Sequence, residues 1–153
     1  MILDDIARKG LVDEWQTLRC SQGKVEIHYT ASCAMGGFML SSIVDNIYAL
    51  FLPFGFSVLE HALQQIRDEG KFTCRSSQLK ALMEASKNIV SWRDYDTIYD
   101  ARDIRNQLTH EQVVPKSKDT FQILDKIEQE LIQWGILEVP VKYDFTLSFT
   151  PTT

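Results

Sequence analysis

Apolar residues return every three or four positions along most of the chain, which is helix period. Over residues 3–19, Leu3, Ile6, Leu11, Trp15 and Leu18 fall roughly on one side, with Gly10 weakening the middle. From about Ser32 to Phe51 the chain is apolar nearly all round, so the pattern predicts a long buried helix. Gly36-Gly37 inside it marks either a close helix–helix approach or a local weak point. Pro53 ends this helix and can open the next, where Val58, Leu59, Ala62, Leu63 and Ile66 recur until Gly70. The segment SQLKALMEASKNIVSW reads as a helix capped by Ser76 or Ser77. YDTIYDARDIRNQLTHE reads as another, capped by Asp94 or Asp96 and closed before Pro115. Phe121, Leu124, Ile127, Leu131 and Trp134 mark the last helix, which Gly135 stops.

Two segments show period two instead. KVEIHYT sets Val25, Ile27 and Tyr29 against Lys24, Glu26 and His28. The tail sets Val139, Val141, Tyr143, Phe145, Leu147 and Phe149 on one face. A lone strand leaves backbone groups unpaired. The tail, residues 139–150, therefore calls for a partner, either residues 24–30 or a second copy of the chain. The expected fold is mainly α: one domain over 1–153, an up-and-down helical bundle of five or six helices with its core at about 30–134, and a small β element from the C-terminal tail.

Composition narrows this picture modestly. The chain has 153 residues, 44% hydrophobic and 24% charged, an ordinary globular balance. Its net charge of −5 supplies no global field for nucleic acid, so any such contact needs a local basic patch. Cys20, Cys33 and Cys74 form no metal-ligand spacing and read as reduced, buried thiols of a cytoplasmic protein. MILDDIARKG does not read as a signal peptide. Asp45, Asn46 and Pro53 divide the most apolar region below the ~20 residues of a membrane span, so a buried helix pair is expected there.

The segment RNQLTH holds the candidate chemistry. At about 100° per residue, Thr97, Ala101, Ile104 and Leu108 form a core arc. Arg102, Asn106 and His110 lie opposite, with Tyr99 and Asp103 among them. Asn106 and His110 are helical neighbours, but Arg105 stands about 140° from His110. Arg105 and His110 then meet only if the helix end unwinds near Leu108–His110, or through a second subunit. Arginine grips phosphate oxygens with a fork of donors, and histidine moves a proton near neutral pH. Asparagine orients either. The same residues also make an ordinary solvated helix face, where His110 simply favours the C-terminal dipole.

An R-N-x-x-x-H near the end of a late helix, in a small acidic bundle, resembles the HEPN superfamily, whose usual motif is R-x(4–6)-H, often with Asn after the Arg. Arg105, Asn106 and His110 match those positions. The resemblance implies a bundle that dimerises, with motifs from both subunits in one cleft. It implies a metal-independent endoribonuclease of toxin or antiviral-defence type that needs no cofactor, acts on RNA and answers to an antitoxin or other regulatory partner. His110 would then transfer protons at the ribose 2′-hydroxyl or the leaving oxygen. Arg105 would stabilise charge on the phosphate, and Asn106 would orient the site. Arg102 and Tyr99 are the candidate substrate-binding residues. Related toxins often carry a modifiable Tyr two residues after the His; here that position is Gln112. The alternatives are a non-catalytic nucleotide- or RNA-binding or assembly module of the same fold, and a plain helical adaptor.

Other polar residues have weaker claims. Glu60 and His61 point about 100° apart, and Asp45 or Glu60 would at most support the site. His28 reads as structural. Arg93, Arg102 and Arg105 would make a basic cleft if brought together, and Trp92, Tyr95 and Tyr99 lie near enough in sequence to stack on bases.

Overall fold

The computed structural model describes residues 4–34, 36 and 41–141, with only the backbone of Ser41 and Ser42. Six helices occupy most of this length: α1 (Asp5–Ala34), α2 (Ser41–Ala49), α3 (Phe51–Asp68), α4 (Leu79–Ser86), α5 (Tyr95–Glu111) and α6 (Ser117–Gln133). They pack as one helical bundle around α3, which touches each of the other five. Leu52, Phe56, Leu59, Leu63 and Ile66 of α3 are completely buried. Asp4 bonds to Glu69, and Glu14 to His61, so α1 runs antiparallel to α3. On its other side α3 meets α6 at Gly55, where an added Cβ would lie 2.4 Å from Leu124 Cδ2. Any side chain at this position would force the buried Leu124 methyl to move.

Several expectations need correcting. Residues 24–30 are not a strand. They continue α1, and no strand occurs among the described residues. Seven alternating residues are too few to outweigh a helix already propagating through the preceding turns. Gln22 and Gly23, which join the two segments, are buried in that helix, and Gln22 accepts a bond from Arg19. The bundle core therefore begins near Leu11 rather than residue 30, with Trp15 fully buried, and it extends past 134 to Ile136 and Leu137. The predicted helix over 32–51 is also divided. α1 stops at Ala34, and Gly36 turns the chain with φ +78, a left-handed conformation that glycine takes without strain. Most of the tail strand, residues 142–150, lies outside the described residues; Val139–Val141 are irregular.

Gly70 and Gly135 end their helices where expected, with φ of +79 and +74. Pro53 lies in the first turn of α3, where no intrahelical N–H is lost. Leu50 between α2 and α3 keeps a helical backbone, so Ile43–Asp68 forms a nearly continuous rod. By length and composition that rod could cross a membrane, contrary to the reading that stopped it at Pro53. Its α3 portion instead fills the centre of the bundle.

Asp94 stands at the N-cap of α5 as expected, and Ser76 Oγ accepts the Gln78 N–H just ahead of α4, but carboxylates from elsewhere in the fold also hold the helix starts. Glu60 of α3 accepts the Leu79 N–H at the start of α4. Asp45 of α2 accepts both the N–H and the hydroxyl of Ser117 at the start of α6, which holds its carboxyl below the usual range. Completely buried Glu130 of α6 accepts the N–H groups of Arg93 and Asp94 ahead of α5. Each satisfies backbone donors that a helix start leaves unpaired. A second buried carboxylate, Glu128, binds Trp15 Nε1 at 2.6 Å and Arg19 Nε at 3.1 Å, joining α6 to α1.

Candidate functional site

α5 carries every predicted site residue. Ile98 and Ala101 are its buried positions, with Ile104 and Leu108 half-buried against the core. Ile98 thus takes the inward place assigned to Thr97, which is exposed. The helix stays regular to Glu111, past His110. Of the two alternatives, unwinding near Leu108–His110 does not occur, and within one chain Arg105 and His110 remain on different sides of the helix.

Arg102, Arg105 and Asn106 line a groove of about 470 Å³ between α5 and the start of α4, together with Glu60, Ser77 and Lys80. Arg105 Nη1 donates to Asn106 Oδ1 at 3.2 Å. The Nε atoms of Arg102 and Arg105 are both buried without a hydrogen-bond partner. Among the described residues no carboxylate pairs with Arg105; Arg102 pairs with Asp103 at 3.3 Å. A buried unmade donor costs about 1–3 kcal/mol. His110 is exposed in the last turn and does not line this groove.

Tyr99 is already engaged. Its hydroxyl donates to Glu84 at 2.7 Å, and that carboxylate holds the phenol above its ordinary 10.0. Arg102 lies 4.6 Å over its ring, and Tyr95 stacks against it at 5.5 Å. Trp92 packs edge-on between Tyr95 and Trp134. The three aromatics therefore form a packed ladder behind Arg102 rather than a free stacking platform. Arg93 precedes α5, about 18 Å along the helix from Arg105, and does not join the groove. Asp45 caps α6, His61 pairs with Glu14 on the surface, and His28 belongs to α1.

Sequence reasoning missed Ser77 and Lys80, because a groove between two helices has no linear signature. Glu60, given only a supporting claim, lies on the groove wall. Among the described residues no group of three or more His, Cys, Asp or Glu is arranged to hold a metal ion. No protein-family model, curated protein or solved structure matches the chain.

Proposed function

We propose that the protein is a dimeric, metal-independent endoribonuclease with Arg105, Asn106 and His110 as its catalytic residues. The observation that carries this reading is the open groove lined by Arg105 and Asn106, where the guanidinium is oriented by Asn106 and, among the described residues, pairs with no carboxylate. A phosphate oxygen is the acceptor that a guanidinium fork fits best. The 2′-hydroxyl attacks the adjacent phosphorus, the P–O5′ bond breaks, and the products are a 2′,3′-cyclic phosphate and a 5′-hydroxyl. One His110 takes the 2′-hydroxyl proton, and the partner subunit's copy gives one to the leaving oxygen. Two chains are required, because a straight α5 keeps His110 away from Arg105 of its own chain.

That separation also supports a second reading. A chain that stays monomeric has the phosphate groove without the proton-transfer group, and is then an RNA- or nucleotide-binding module. The deciding experiment incubates purified protein with total RNA in EDTA, beside His110→Ala and Arg105→Ala, and determines its mass in solution. A dimer that leaves 2′,3′-cyclic phosphate ends, with cutting abolished in both variants, is the expected result. A folded monomer that binds RNA through Arg105 and cuts nothing would establish the binding module instead.

A further inference from the structure

A second cleft, of about 870 Å³, runs between α5 and α6. On α5 its lining residues lie on average about 145° around the helix from Arg102, Arg105 and Asn106, and no residue lines both, so it is a different surface from the motif groove. Its floor is apolar, formed by Ala101, Ile104 and Ile123. Its rim is acidic, formed by Asp100, Asp119 and Asp125. Among the described residues Asp100 and Asp119 have no ion-pair partner, while Asp125 meets Arg19. The single lysine in the wall, Lys126, is already bonded to Asp94.

Two helices that each turn a stripe toward a shared cleft leave the space a third helix would fill. The α6 wall spans positions 119 to 129, about 15 Å or three helical turns. Charge selects the occupant. A second copy docked here about a two-fold axis would set carboxylates against carboxylates. RNA phosphates would meet the same repulsion. A helix with an apolar stripe between flanking lysines or arginines meets neither objection.

We propose that the α5–α6 cleft is a docking site for a basic amphipathic helix of a partner protein, about three turns long. The site stands independently of the ribonuclease reading. Because the cleft and the motif groove share no lining residue, the occupant leaves the motif groove open.

The test uses a synthetic helical peptide with leucines at i, i+3, i+4 and i+7 and lysines on both flanks. Two control peptides replace the lysines by glutamates or scramble the leucine stripe at constant charge. Calorimetry should show binding of the first peptide only. Asp100→Lys/Asp119→Lys, which alters exposed groups and leaves the fold intact, should weaken that binding about tenfold or more. Asp5→Lys/Asp68→Lys, remote from the cleft, should not. Absence of binding, equal binding of the scrambled peptide, or equal loss in the remote variant would overturn the proposal. So would displacement of the peptide by a single-stranded RNA oligonucleotide.

Discussion

α3 and α5 have nearly the same length, 18 and 17 residues, yet they are held in different ways. α3 buries eight of its residues and packs against all five other helices. α5 buries two, and its firmest attachment lies ahead of its first turn. There Glu130 accepts two backbone N–H groups, Lys126 bonds Asp94, and Trp134 Nε1 donates to the Ser91 carbonyl at 3.1 Å. In its middle turns Arg102 and Arg105 keep unmade donors. Apolar area fixes α3 over its whole length, whereas polar bonds pin α5 at one end. α5, which buries little, carries two of the three buried polar side-chain atoms left without a partner among the described residues, and the third, Thr120 Oγ1, lies on α6.

The largest effect should come from α3. Leu63 is completely buried, so Leu63→Ala should cost about 3 kcal/mol and lower Tm by roughly 10 °C. Chemical denaturation followed by tryptophan fluorescence measures it. A cost below about 1 kcal/mol would mean that α3 is not the centre of the core.

Glu130→Ala should act next, and locally. Removing the acceptor leaves two N–H groups unpaired, at about 1–3 kcal/mol. If α5 is a separately held unit, hydrogen exchange over residues 95–111 should rise about tenfold or more while the slowest α3 amides change little. Uniform acceleration of both would refute the distinction between the two helices. Titration adds a second signature. Burial outweighs the two N–H bonds and raises Glu130 above its ordinary 4.5. Its stabilising contribution is therefore full below that pH and is lost as pH rises through the folded value. Asp45 and Asp94 lie below their ordinary 3.8, held by Ser117 and by Lys126, so theirs is present above it and lost on further acidification. Stability should peak in mildly acidic solution, and Glu130→Gln should flatten the decline toward neutrality.

These carboxylates mark where the sequence was legible and where it was not. The apolar period located α3 and α6 and the ends of α5, because burial repeats along the chain every 3.6 residues. Gly70 and Gly135 were legible as stops because a left-handed residue acts on its own helix. Asp94 was legible as the residue that starts α5; the supporting carboxylates were not, because Glu60, Glu130 and Asp45 act on helices distant in sequence, and no local pattern records that. The alternation over residues 24–30 misled for the converse reason, being local evidence overruled by the helix around it. The motif was legible as three residue types at a spacing, and its place on the polar side of α5 agreed with the wheel. The groove was not legible, since Ser77 and Lys80 reach it only through the packing of α4.

Where α3 loses stability with any truncation, α5 should gain it at Arg105. Arg105→Met keeps the apolar stem of the side chain and removes the unmade donor. It should leave stability unchanged or raise it by about 1 kcal/mol while abolishing phosphate binding in the groove. A clear destabilisation would show that the guanidinium holds the helix rather than waiting for a ligand. Isothermal titration with a short RNA, beside thermal unfolding, separates the two outcomes.

The smallest effect concerns the far end of α5. Gln112 closes the helix with φ 56, the only non-glycine residue with positive φ among the described residues. Its N–H and that of Val113 both reach the Gln107 carbonyl, as a helix end with a left-handed residue requires. Glycine takes that conformation without the crowding of a Cβ. Gln112→Gly should therefore stabilise the protein by about 0.5–1 kcal/mol, with the gain appearing as slower exchange of the amides near His110. The same substitution at the end of a fully packed helix would be hidden beneath the core; here the C-terminal turn has little else to hold it. A loss of stability would mean that the Gln112 side chain secures the turn, and that α5 is fastened at both ends.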